Sequence, residues 1–190
     1  EGDTNTGINL PESDRIQLIT GGTERMRITS SGDVGIGTTS PQSGIHLAEG
    51  GSGSDGGSVL TLSQTGFGTI VNNDDLGSVH FGGVTSGGVG SHACAKIMVE
   101  GDGTFATNDF PTRMTFHTTT DGGNTLSERM RISNAGRVSI GTTTTDRELK
   151  VQKSGDSCVI AIVSGTSNLS GIVMGDTDDD DIGHILYNNS

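Results

Sequence analysis

Apolar and polar residues alternate with period two along many short stretches of this chain. Met26 and Ile28 point one way and Arg25 and Arg27 the other; Val34 and Ile36 resume the pattern after Ser31, Gly32 and Asp33. Leu60 and Leu62 alternate with Thr61 and Ser63, Ala95, Ile97 and Val99 with Lys96, Met98 and Glu100, and Met114 and Phe116 with Arg113, Thr115 and His117. A half-buried strand imposes such alternation, whereas a disordered polar chain has no reason to show it. The stretches are separated by clusters of Gly, Asn, Asp and Ser that read as turns, and no apolar spacing of helical period persists beyond about two turns. The pattern predicts an all-β chain.

The pattern also repeats. The string from Thr23 to Thr39, containing Glu24-Arg25-Met26-Arg27-Ile28 and Gly32-Asp33-Val34-Gly35-Ile36-Gly37, returns without a gap from Ser127 to Thr143, an offset of 104 positions. Ile45 and Leu47 match Leu149 and Val151 at the same offset, and Asp75 to Phe81 match Asp181 to Tyr187 at an offset of 106. A fixed period of this kind marks a modular architecture. The expected organisation is the end of a preceding module over residues 1–22, a complete module over 23–126 and a partial second module over 127–190. Gly32 and Gly136 stand where a tight turn needs positive φ, and Gly37 and Gly141 close the following strand. Shared residues of this sort serve turning and packing; an active site would show convergent polar groups in one copy.

Composition limits what such strands can bury. Gly, Thr and Ser fill 78 of the 190 positions, while Leu, Ile, Val and Phe together number 42. That aliphatic share lies near the range in which chains fail to fold alone. Short strands with one apolar stripe and no covering helix cannot close a core and leave edges open to aggregation. Three copies around a shared axis would bury the stripe and leave the Gly, Ser, Thr and Asp face wet. The formal net charge of −12 argues against nucleic acid, which needs clustered Lys and Arg, and against an anionic membrane surface. No apolar run approaches a membrane span, and no charged segment followed by an apolar one opens the chain, so a soluble mature piece is expected. Cys94 and Cys158 lie far apart without a CxxC, which signals neither a disulfide framework nor a zinc site. Cys158 alternates with Ile160 and Ile162 and reads as a small core residue.

The repeated strings resemble those of viral fibre proteins, the shafts of bacteriophage and marine-virus tail fibres that precede self-cleaving intramolecular chaperone domains. Glu-Arg-Met-Arg-Ile at 24–28 and 128–132 carries the resemblance, followed by Gly-Asp-Val-Gly-Ile-Gly-Thr-Thr-Ser-Pro at 32–41 or Gly-Arg-Val-Ser-Ile-Gly-Thr-Thr at 136–143. The segment from Gly175 to Tyr187 resembles the stretch leading into a further repeat. Similar strings occur in bacterial surface fibres, so the resemblance implies a trimeric fibre more firmly than a virus. Thr145 stands where the pattern has proline, as at Pro41. No chaperone domain matches, so no autoprocessing is expected.

Candidate chemistry is sparse. Gly51 to Gly56 fits GxGxxG but lies in a Gly/Ser-rich loop with no helix to present amides to a pyrophosphate. Asp176, Asp178 and Asp180 have the odd spacing of a calcium loop, yet Asp181 stands in place of its glycine and Tyr187 in place of its glutamate; the segment reads as a solvated acidic loop. Histidines 46, 80, 92, 117 and 184 form no HxxxH or HxH pair. His80 and His184 alternate away from Val79 and Ile185 and read as outward; a histidine column on the three-fold axis requires the opposite face. There is no GxSxG, HExxH or P-loop. One Tyr and no Trp leave few platforms for a glycan, which disfavours a depolymerase or endosialidase. Arg25, Arg27, Arg129 and Arg131 read as outer-face residues paired with carboxylates of the same or a neighbouring chain, Glu24 and Glu128 being nearest.

The expected fold is therefore all-β, an elongated trimeric fibre of β-meander modules in a β-prism or triple-stranded β-helix. Met26, Ile28, Val34, Ile36, Met130, Ile132, Val138 and Ile140 are its expected trimer core. The expected function is non-enzymatic and needs no cofactor. The chain serves as a tail-fibre shaft on a virion surface or outside the cell, extending a receptor-binding tip. The alternative is a cellular adhesin or filament binding a glycan or protein receptor through loops 50–57 and 83–93. The expected partner is the chain itself, with no nucleic acid and no membrane insertion.

Overall fold

The computed structural model describes residues 4–11, 14–49, 57–64, 68–84, 91–155, 157–162, 169–174 and 183–188; of these, 91–93, 169–171, 173, 174 and 183–188 are described by backbone alone. The chain falls into two units, Glu1–Leu62 and Ser63–Ser190. Among the described residues there are thirteen strands and no helix.

The first unit holds one sheet in chain order, β1 (Gly7–Asn9), β2 (Ile16–Thr20), β3 (Thr23–Ile28), β4 (Val34–Ile36) and β5 (Ile45–Leu47). The second holds a six-stranded sheet, also in chain order: β6 (Asp75–Val84), β7 (Ser91–Gly101), β8 (Thr112–Thr118), β9 (Ser127–Ile132), β10 (Val138–Ile140) and β11 (Leu149–Val151). A hairpin of β12 (Leu169–Met174) and β13 (Gly183–Asn188) forms a separate antiparallel pair. Strands β1–β5 correspond one to one to β7–β11. A module boundary at 22/23 therefore falls inside the β2–β3 hairpin, and one placed between β5 and β6 leaves each sheet whole.

Each sheet departs from a pure meander in the same place. The last pairings, β4 with β5 and β10 with β11, are parallel. Parallel neighbours ordinarily need a crossover of a dozen or more residues, but here residues 37–44 and 141–148 suffice. Gly37 (φ 73°) and Gly141 (φ 74°) make this reversal. A Cβ on either would collide with a backbone carbonyl, of Ala48 or of Gln152. The turns ahead of β4 and β10 are likewise twins, with Gly32 at φ 89° and Gly136 at φ 77°.

The register sorts the side chains into rows. On one face of the first sheet run Ile8–Leu18–Met26–Ile36–Leu47 and Ile16–Ile28–Val34–Ile45. On the same kind of face in the second sheet run Val79–Ile97–Phe116–Met130–Ile140–Val151 and Val99–Met114–Ile132–Val138–Leu149. Between these rows, pointing to the opposite face, lie Asn9–Gln17–Arg27–Gly35–His46 and Ser78–Met98–Thr115–Arg131–Ser139–Lys150.

Burial within the chain is the reverse of what the alternation alone suggests. The expectation of a wet polar face is corrected. Thr115 and Ser139 are 0% exposed, and Gln17, Arg113 and Glu100 are also buried. The crossovers fold over this face: Arg27 Nη1 donates to Thr39 O (2.5 Å), Arg137 Nη1 to Thr145 O (3.2 Å) and Ser139 Oγ to Thr144 O (2.9 Å). Met98, on the polar face, is the one large hydrophobic buried among the described residues. A second correction concerns Leu60, Leu62 and the apolar run around Ile160. Neither residues 57–64 nor residues 157–162 form a strand within the chain, because no neighbouring strand edge is paired to them.

The substitutions Gly37→Ala and Gly141→Ala are each expected to lower stability by about 2–3 kcal/mol or more, since a side chain there carries both strained φ and a backbone collision. Gly32→Asn, with open space around it and a residue that tolerates positive φ, is expected to cost less than about 1 kcal/mol. Thermal unfolding midpoints at one protein concentration check the contrast.

Candidate functional site: an assembly interface

The motif Glu-Arg-Met-Arg-Ile works through an interruption in its strand. Leu18 faces Met26 while Ile19 faces Glu24, so Arg25 is an extra residue in β3; likewise Phe116 faces Met130 and His117 faces Glu128, with Arg129 extra in β9. In a regular strand, residues three apart lie on opposite faces. The bulge turns Glu24 and Glu128 onto the face of Arg27 and Arg131. Arg27 then grips Glu24 through Nε–Oε1 (2.5 Å) and Nη2–Oε2 (2.8 Å), and Arg131 grips Glu128 at 2.6 and 2.7 Å. Both are two-pronged charge-assisted pairs within one chain. Pairing with Arg27 holds Glu24 below its usual 4.5, and the partner carboxylates push Arg27 and Arg131 upward. The extra residues turn aside: Arg25 Nε donates to Thr20 Oγ1 (3.0 Å) and Arg129 Nε to Thr118 Oγ1 (3.1 Å).

A second cluster bolts turns onto the six-stranded sheet. Arg113 Nη1 donates to Asn72 Oδ1, Gly101 O and Asp102 Oδ1 (3.0, 3.0 and 3.1 Å), and Nη2 to Asn73 Oδ1 and Glu100 Oε1 (2.6 and 3.1 Å). Glu100 Oε2 accepts from Thr115 Oγ1 (3.2 Å), and Asp102 Oδ2 from the Asn134 amide (3.0 Å). Five acceptors around one guanidinium, two of them carboxylates, make a fixed, buried joint. Pattern reading overlooked it. The available signal was Arg15, which precedes β2 as Arg113 precedes Met114 of β8; the Nε atoms of Arg15 and Arg113 alike are buried without a partner.

His117 occupies a polar cross-strand row, His80–Lys96–His117–Glu128. Its Nε2 lies 3.0 Å from Thr115 Oγ1. Burial first, and then the Lys96 charge, push its pKa below 6.5, against smaller opposing pulls from Glu128 and Glu100. His80 is exposed on this face, opposite the apolar rows, as its outward reading requires. His46 Nδ1 accepts from the Gln42 amide at 3.3 Å. The side chains of His92 and His184 are not among those described.

Met26, Ile28, Val34 and Ile36 share one face of the first sheet, and Met130, Ile132, Val138 and Ile140 one face of the second. None of the eight is buried within the chain; Ile36 and Ile140, the matched pair, are 39% and 40% exposed. Cys158, expected in a core, is exposed, as is Cys94. Asp176, Asp178 and Asp180, the GxGxxG stretch 51–56, and most of loops 50–57 and 83–93 lie outside the described residues. Among the described residues no group of three or more His, Cys, Asp or Glu side chains is gathered for a metal, and no helix is long and apolar enough to cross a membrane. The geometry thus offers two rigid polar joints and, on the other face of each sheet, an open apolar grid.

Two solved structures are similar to this chain. One is the carboxy-terminal domain of the bacteriophage T5 L-shaped tail fibre, at TM-score 0.38 and 14% identity, covering 81% of this chain and 74% of that one. The other is that domain with its intramolecular chaperone domain, at TM-score 0.40 and 14% identity, covering 89% of this chain and 54% of that one. No protein-family profile and no curated protein matches.

Arg113→Met is expected to cost about 3–5 kcal/mol, because Glu100 and Asp102 lose their counter-charge at a buried site. Glu148→Gln, which removes the exposed partner of Arg137, is expected to cost under about 1 kcal/mol. Chemical denaturation of the two variants tests the ranking.

His117 also sets an expected pH dependence. Its folded pKa is depressed, so the folded chain favours the neutral ring and the stability this confers is present above about 6.5. It is lost as pH falls below 6.5 towards the lower folded value. The unfolding midpoint of the wild type is expected to drop between pH 7 and pH 5, and His117→Asn to flatten that drop; an equal slope in both proteins would refute the assignment.

Proposed function

We propose that this chain is a non-enzymatic structural segment of a homotrimeric fibre exposed outside the cell or on a virion, a tail-fibre shaft that extends a receptor-binding tip. One observation carries the reading. The chain shields its own polar face and leaves the apolar face of both sheets open, with all eight expected core side chains unburied. Fully burying one such side chain is worth roughly 1.5–3 kcal/mol, so completing the burial of eight in each copy is a driving force on the scale of a whole domain's net stability.

The remaining features support the same reading. The face recurs at a fixed offset, as a shaft lengthened by repetition needs. The repeated strings resemble those of viral fibres. The conserved geometry between copies consists of turns, bulges and ion pairs, which shape a scaffold. Three apolar faces turned inward would leave the polar joints and crossover loops as the outer wall, and the net charge of −12 would keep such a rod soluble.

Light scattering with small-angle scattering on the purified chain tests the proposal. The expected particle is three times 19.4 kDa and rod-like. A compact particle of one chain's mass would overturn it. Binding to a broad glycan array that disappears when loops 50–57 and 83–93 are trimmed would instead favour an adhesin.

A further inference from the structure

Two matched stretches remain that no sheet uses. Val59, Leu60, Thr61 and Leu62 align with Val159, Ile160, Ala161 and Ile162 at an offset of 100. Both follow the last strand of a sheet, β5 or β11. Their exposures agree pair by pair: 75% and 80% for Val59 and Val159, 66% for both Leu60 and Ile160, 47% and 46% for Leu62 and Ile162. Neither stretch is strand, turn or bend, and no hydrogen bond holds the backbone of either. Each nevertheless has the composition of a strand, with large or β-branched apolar residues, and leaves its amides and carbonyls free to pair.

We infer that residues 59–62 and 159–162 are strands completed by a neighbouring copy of this chain, each copy lending its run to the next. The inference rests on the oligomeric fibre reading and adds to it the segments that join the copies. Periodicity identifies the partner. A partner that covers both runs must itself carry two matching surfaces, and a second copy of the chain, which repeats the same run at an offset of 100, does so. Charge points the same way. In a chain of net charge −12, the runs lie within residues 56–73 and 157–175, two of its three longest stretches without Asp, Glu, Lys or Arg, so like-charged copies can close on each other there without opposing carboxylates.

The surroundings of the runs fit that use. In the first unit a groove of about 220 Å³ is lined by Ile36, Leu47, Ala48, Glu49, Ser58 and Val59. A cavity of ~150 Å³ accommodates a benzene ring, so the groove has room for a large aliphatic side chain of an incoming run. Its walls are Val59 of the run and the open apolar face of β4–β5. In the second unit Cys158, just ahead of the run, has its Sγ 3.6 Å from Val151 O at the end of β11. Run on one copy and groove on the next make a heterologous contact, which forms a ring where the rotation between copies closes.

Hydrogen–deuterium exchange on the 190-residue chain, read together with its solution mass, tests the inference. Within one chain the amides of 59–62 and 159–162 have no acceptor and exchange at the rate of an unstructured peptide. In the assembly they are expected to slow at least ~100-fold, as laddered amides do. The double variant Leu60→Asp with Ile160→Asp, which disturbs nothing bonded within the chain, is expected to lose that protection and to dissociate or melt earlier while each chain keeps its β circular dichroism. A trimer whose runs exchange freely, or a double variant as stable as the wild type, overturns the inference and leaves the fibre reading standing. A wild type that is a single chain in solution removes both.

Discussion

Everything in this architecture depends on which face of the sheets the chain covers for itself. An isolated protein turns its apolar face inward. Here the covering elements are the crossovers 37–44 and 141–148, and they pack on the polar face, where they receive Arg27, Arg137 and Ser139 as hydrogen-bond donors. The choice is forced by chain length. A parallel connection of eight residues cannot stand off from the sheet, so it must lie against whatever face it crosses. Its own backbone carbonyls then need donors, which only a polar face supplies. Among the described residues no element covers the apolar side, and in the proposed assembly that cover comes from other copies.

The bulges at Arg25 and Arg129 serve the same division of labour. Without them Glu24 would share a face with Met26 and would stand among the apolar rows, an unpaired carboxylate at the surface that the proposed assembly buries. That placement would cost several kcal/mol if the surface were buried. By re-aiming Glu24 and Glu128 onto the arginine side, the extra residue clears the apolar grid of charge and supplies each guanidinium with both of its carboxylate contacts. The motif is thus a device for segregating charge from apolar surface within one strand. Such pairs add little stability on their own where they are exposed. Their contribution lies in fixing the register of β2 against β3 and of β8 against β9, since a slip by one residue would send a charge to the wrong face.

Much of this was legible in the sequence. Period-two alternation located β3, β4, β7, β8 and their counterparts, and the ungapped offset from Glu24 to Glu128 disclosed the repeat, because sheets fix side-chain direction residue by residue. The eight residues expected in a shared core do lie on common faces of their sheets. Alternation failed where a strand is not regular or not self-sufficient. It could not show that Glu24 changes sides, since a bulge leaves no gap in the pattern. It assigned strands at Leu60 and Ile160, where apolar spacing is right and no strand among the described residues pairs with them. It also missed the Arg113 joint, whose acceptors come from Asn72 and Asn73 some forty residues away, a closeness that only the folded sheet creates.

Open apolar faces and unpaired runs are ordinarily a hazard, since a free strand edge recruits any other edge without limit. The sheets here restrict that hazard by geometry. Their last strands, β5 and β11, have three residues each, too short to template a long ladder, and each is followed by a single run. If every run is used once, by one neighbour, lateral growth stops when the ring closes, and further addition is available only along the chain, by more repeats. Length can then be increased module by module while width stays constant. A chain poor in large aliphatic residues is suited to such a part: in a shared core each copy would need to supply only one apolar face, and Gly, Ser and Thr would suffice for the outer wall.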